Sequence, residues 1–140
     1  MLASDLMTPE PATVTPKASV AEVWDVMREA DIRHVPVVEG GRLVGMLSDR
    51  DLARLDLVRV LNVEGVDALQ QALATPVLGV MQPDVIFVEP DAEAVEVIDL
   101  LLDHKIGALP VVETGTRNVI GIISYVDVLR ALQNLLEEEA

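Results

Sequence analysis

Serine and aspartate stand three residues apart twice in this chain, as Ser48 and Asp51 and again as Ser124 and Asp127. Each pair follows a glycine and two apolar residues, Gly45-Met46-Leu47 in one copy and Gly121-Ile122-Ile123 in the other. The apolar runs read as strands and the residues after them carry a helical pattern, so each pair sits at a strand-to-helix junction. Two chemistries fit there. The serine can cap the helix, with the aspartate as its reciprocal partner and its charge favoured by the helix dipole. That reading needs no ligand, although the reciprocal box more commonly uses the longer Glu or Gln. Alternatively, the carboxylate can accept hydrogen bonds from the vicinal hydroxyls of a ribose, as acidic side chains do in other nucleotide sites.

Arg50 adds a cation to the first turn after Ser48, where it opposes the dipole and gains nothing from it. A phosphate bound at that helix end would favour it. The competing explanation is a surface ion pair with Asp49, Asp51 or another acidic neighbour, of small worth. Arg33, His34 and Arg54 are expected nearby and would concentrate positive charge in an otherwise acidic chain.

The elements that must hold these residues can be read from composition and pattern. At 140 residues the chain has about the length of one domain and can bury a sizeable core. Trp24, Phe87 and Tyr125 are its only aromatics, so that core must be aliphatic. A formal charge of −14 argues against nucleic acid, and equally against an anionic membrane surface. The absence of cysteine excludes a disulfide framework, a zinc-thiolate site and a cysteine nucleophile. The N-terminus lacks the pattern of a signal peptide, and runs such as Val85–Val88 and Val119–Ile123 are far too short to span a bilayer. These features predict a soluble, cytoplasmic protein. His34 and His104 have no metal-ligand spacing, and no glycine-rich phosphate loop or assembled base and nucleophile is recognisable, so neither metal chemistry nor catalysis is expected.

Along the chain, Ser4–Met7 suits one helical turn that Pro9 and Pro11 would end. Ser19 opens a helix, with Glu22 as a capping-box partner and Val20, Val23, Trp24 and Met27 as its core stripe. Val35–Val38 and Leu43–Leu47 read as a hairpin turning at Gly40-Gly41. A second helix capped by Ser48 should carry Leu52, Leu55 and Val58. Residues 59–79 read as a connector, with a helix capped by Asp67. The rest repeats the first part. Met81-Gln82-Pro83 matches Met7-Thr8-Pro9, Val88-Glu89-Pro90 matches Val14-Thr15-Pro16, and Pro110-Val111-Val112-Glu113 matches Pro36-Val37-Val38-Glu39. The offset is about 74 residues without a gap from Met7 to Glu39. The second hairpin, Thr114–Asn118, is then about two residues longer, after which Gly121, Ser124, Asp127 and Arg130 align with Gly45, Ser48, Asp51 and Arg54. Roughly a third of the aligned positions are identical. Two such units complete each other's cores. The prediction is an α/β (mixed α+β) protein: repeat 1 over 1–58, the connector, and repeat 2 over 80–140, each β-α-β-β-α, packed sheet to sheet about a pseudo-twofold axis. Glu137–Glu139 reads as a solvated tail.

With the Met-x-Pro openings, the Ile-x-x-x-Pro-Val-Val-Glu strands and the Gly-hydrophobic-hydrophobic-Ser-x-x-Asp junctions all present twice, the chain resembles a tandem pair of cystathionine-β-synthase (CBS) domains, a Bateman module. The resemblance implies a non-catalytic, regulatory and energy-sensing role. Such pairs bind AMP, ADP, ATP or S-adenosylmethionine in clefts between the repeats, often dimerise through their helices, and signal to a regulated partner. It implies a nucleotide site drawn from Ser48, Arg50, Asp51, Arg33, His34, Val35 and Val14, and a second from Ser124, Asp127, Ala108, Leu109 and Val88. The second departs from the first: Val126 replaces Arg50, and Gly107-Ala108 replace Arg33-His34, leaving room for an adenine ring against Leu109 and Val88. Unequal sites are therefore expected, with Ser48/Asp51 the better phosphate binder and the other empty or filled by a less anionic ligand. A ligand-free dimerisation or partner-binding module is the competing function.

Overall fold

A computed structural model describes residues 1–139. They divide into two compact units, each assembled from separate stretches of chain: Ala12–Gly40 with Val44–Asp84, and Met1–Pro11 with Gly41–Leu43 and the residues from Val85 onward.

In the first of these, α2 (Val20–Ala30) begins at Ser19, whose hydroxyl accepts from the Glu22 N–H at 3.1 Å, and ends where Asp31 turns left-handed. Val20, Val23 and Met27 are buried, but Trp24 is 45% exposed. The apolar stripe is therefore narrower than the sequence suggests, because position 24 lies one helical step beyond the buried face. Strands β2 (His34–Glu39) and β3 (Arg42–Ser48) form a two-stranded sheet. Gly40 and Gly41 join them with φ of 60° and 83°, which a side chain would resist. Val14 lies parallel to Val37 and bonds Pro36 and Val38 across the main chain. A single helix from Ser48 through Val58 does not form. Helix α3 spans only Asp49–Ala53, Asp56 adopts φ 49°, and α4 (Leu57–Arg59) restarts beyond it and runs into a π-helical turn over Val60–Glu64. Helix α5 (Val66–Leu73) is preceded by Gly65 at its cap rather than by Asp67. The core gathers Val14, Val20, Val23, Met27, Val35, Val37, Leu47, Leu52 and Val77.

The other unit contains α1 (Ala3–Leu6), β1 (Thr8–Pro9), α6 (Ala94–His104), β4 (Ala108–Val112), β5 (Val119–Ser124) and α7 (Tyr125–Glu139). Its sheet runs β1-β5-β4, antiparallel throughout, with Thr8 opposite Ile122 and Leu109 opposite Ile123. Glu137–Glu139 continue α7 as helix instead of forming a tail. Ala3, Leu6, Val88, Val97, Leu101, Leu109, Val111 and Ile123 make the core.

The Met-x-Pro openings do not stay with the copies they begin. Thr8-Pro9 pairs with β5, and Met81-Gln82 makes the matching bridge to Met46 through the Gln82 main chain. This explains the junction glycines: a Cβ on Gly121 would collide with the Met7 sulfur, and one on Gly45 with the Met81 sulfur. At Gly121 the Met7 Cβ also stands only 3.0 Å from that position, so the methionine cannot simply swing aside. Gly121→Ala is expected to lose about 1–3 kcal/mol by overpacking. In a Met7→Ala background the same change should cost less, a coupling measurable by urea denaturation of the double-mutant cycle.

Candidate functional site

Both junctions are built alike. Ser48 leaves β3 extended and caps α3; its N–H donates to Asp51 Oδ2 at 2.8 Å, its hydroxyl donates to the same oxygen at 3.1 Å, and the Asp51 N–H donates to Ser48 Oγ at 3.3 Å. Ser124 and Asp127 repeat these contacts at 2.8, 3.1 and 3.4 Å. The aspartate therefore closes the capping box despite its short reach, and the helix-cap reading holds in full at both positions.

The second carboxylate oxygen has another use. Asp51 Oδ1 accepts from Gln82 Nε2 at 3.1 Å and from Arg54 Nη1 at 3.3 Å. Asp127 Oδ1 accepts from the Thr8 hydroxyl at 3.1 Å. Thr8 and Gln82 were not among the residues the sequence singled out. The available signal was their shared place at the centre of the two Met-x-Pro openings. Asp51, 6% exposed, is the sole buried charged residue among those described.

Around the first junction lie the expected cations. The Asp49 N–H donates to the Arg33 carbonyl at 2.9 Å, bringing Arg33 beside the start of α3; Tyr125 and Gly107 make the equivalent bond at 3.2 Å in the other unit. Arg50 and Arg33 are exposed, and neither pairs with a carboxylate among the described residues. The ion pair expected as the alternative for Arg50 is instead made by Arg54. His34 begins β2, half-buried; burial holds its pKa below the usual imidazole value, Asp49 and Asp51 push it up, and Arg33 and Arg50 push it down. Hydroxyl, carboxylate, imidazole and guanidinium groups thus converge in this unit.

The second junction keeps the hydroxyl and carboxylate but has Gly107, Ala108 and Val126 where the first has Arg33, His34 and Arg50. Arg130, the counterpart of Arg54, makes no ion pair among the described residues. Of the apolar candidates, Val14 and Val35 belong to one core, Val88 and Leu109 to the other, and Ala108 is buried beside them. Val88 also lines a cavity of about 380 Å³ with Phe87, Glu89, Asp91, Ala92 and Glu96, an acidic surround. Tyr125, the first residue of α7, donates its hydroxyl to the Leu101 carbonyl at 3.4 Å. Among the described residues no helix is long and apolar enough to cross a membrane.

A family model, that of the CBS domain, matches residues 3–58 and 77–134. The chain belongs to the CBS domain family. The CBS domain-containing protein YhcV of Bacillus subtilis is 32% identical over 136 residues, covering 97% of this chain and 87% of that protein. Among solved structures, a putative acetoin utilization protein, AcuB, from Vibrio cholerae superposes with a TM-score of 0.81 at 34% identity, covering 100% of this chain and 97% of the other. The structure of CBSX2 in complex with AMP gives 0.79 at 28% identity, covering 96% and 97%. The mixed helix and sheet architecture is that of a CBS pair.

Two outcomes follow for the CBS pair's first junction. Asp51→Ala strands the Gln82 amide and the Ser48 N–H and should cost about 1–3 kcal/mol in chemical denaturation. His34 has a folded pKa below its unfolded value of 6.5, so the unfolded chain binds the proton more readily. His34 is therefore neutral in both states well above that value, and its contribution becomes destabilising as pH falls through it. His34→Gln should accordingly lose less stability than wild type between about pH 7 and pH 5, read by urea titrations at each pH.

Proposed function

We propose that this CBS pair is a non-catalytic regulatory module that binds an adenosine-containing ligand at its two strand-to-helix junctions and passes occupancy to a partner protein. The observation that carries the reading is that Arg50 and Arg33, beside the Ser48–Asp51 junction, pair with no carboxylate among the described residues, in a chain of formal charge −14. A guanidinium left without a carboxylate where carboxylates abound is suited to a phosphate, which it can grip in bidentate fashion. Ser48 and Asp51 face the ribose in this reading, His34 and Arg33 flank the phosphate, and Val14 and Val35 back the base. The AMP bound to CBSX2 supports this choice of ligand class. At the second junction Ser124 and Asp127 serve the ribose, with Val88, Ala108 and Leu109 behind the base. The absence of counterparts to Arg33 and Arg50 favours a ligand with less negative charge there. Ligand binding shifts a conformational equilibrium by its differential affinity for the two states, which is all that signalling to a partner requires.

A second reading has its own support. Both junctions are satisfied as helix caps without a ligand, and α7 exposes Val126, Leu129, Leu132 and Leu136 along one side. A homodimer built on that stripe, with unused junctions, would remain unchanged in light scattering on adding nucleotide.

Calorimetric titration with AMP, ADP, ATP and S-adenosylmethionine separates the two. Binding of a phosphate-bearing ligand is expected, weakened roughly tenfold or more by Arg50→Gln, which leaves the cap intact. No heat from any of the four at millimolar concentration would rule the binding role out.

A further inference from the structure

The two junction carboxylates differ in what they have left to accept with. A carboxylate offers about four lone-pair sites. Asp51 already receives four hydrogen bonds, from the Ser48 N–H, the Ser48 hydroxyl, Gln82 and Arg54. Among the described residues Asp127 receives three, from the Ser124 N–H, the Ser124 hydroxyl and Thr8, and keeps a site open on Oδ1. A sugar hydroxyl can join Asp127 without displacing anything. At Asp51 it must evict a donor.

Three of the Asp51 donors are anchored. The Ser48 groups belong to the helix cap, and Gln82 is held by paired main-chain bonds with Met46 at 3.0 and 2.9 Å. Arg54 is not held in this way. Its side chain is 70% exposed, and its 3.3 Å bond is the longest of the four. The pair joins an exposed guanidinium to a buried carboxylate: the arginine is free to swing toward another anion, while Asp51 holds it until a replacement is at hand.

We propose that Arg54 is a latch on the Asp51 junction. It occupies the acceptor site that a ribose hydroxyl would use, and it is drawn off by a phosphate on the same ligand, which gives the guanidinium a replacement partner. Adenosine without phosphate offers no such exchange. The first junction therefore demands a phosphorylated nucleoside, while the second, unlatched, accepts the bare nucleoside. The inference rests on the binding role proposed above and goes beyond it by naming the residue that sets the demand for phosphate.

The test is calorimetry on the full chain with AMP and with adenosine, for wild type, Arg54→Ala and Arg54→Gln. The Arg54 side chain bonds only Asp51 among the described residues, and thermal unfolding checks that both variants fold. Adenosine should fill one site per chain in wild type and two in either variant, with the AMP preference at the Asp51 junction falling at least tenfold. AMP binding with an adenosine stoichiometry that Arg54 substitution leaves unchanged would overturn the latch and leave the binding role standing. Two adenosine sites in wild type would overturn it equally. Failure of both ligands to bind wild type would remove the binding role and the latch with it.

Discussion

A single short carboxylate, used twice, organises each half of this protein. Asp51 and Asp127 turn one oxygen toward the serine that ends a strand and the other toward the opening segment of the other sequence copy. One side chain thus sets where a helix starts and ties down a stretch far away in sequence. A carboxylate as buried as Asp51 is tolerable only when its acceptors are filled, and filling them is what gathers these elements together. No buried side-chain polar atom is left without a partner among the described residues, and at Asp51 all four acceptor sites are used.

The same arrangement accounts for the small residues around it. The junction glycines are not turn formers; they lie within strands, and their missing side chains admit the thioethers of Met7 and Met81. Methionine suits that place because its flexible chain fits an irregular gap. Glycine, methionine and the polar residue after it therefore form one unit of packing and hydrogen bonding, which explains why all three recur together in both halves.

Much of this was legible from residues alone, because the duplication reports on itself. Aligned apolar and polar positions placed the hairpins, and Ser19, Ser48 and Ser124 marked their junctions correctly. What escaped the sequence was non-local. Nothing near Thr8 or Gln82 announces a carboxylate 119 or 31 residues away. The break after Ala53 depends on Asp56 turning left-handed, a conformation open to aspartate but not dictated by it. Trp24 kept the helical period and still faces outward, since periodicity gives a face but not the width of what covers it. At the site, the hydroxyl and acid pairs were visible from their spacing, whereas the unequal loading of the two acids was not, because it depends on which long side chain reaches Oδ1.

The exchanged openings also bear on how the chain acquires its structure. Strand β1 is made before the strand it pairs with, which lies beyond residue 118. Closing so long a loop is entropically slow, and the edge of β1 stays unmatched until it happens. The stretch from Ala12 to Asp84, interrupted only by Gly41–Leu43, meets no comparable delay. Assembly is thereby given an order, with the middle of the polypeptide maturing before its ends are joined.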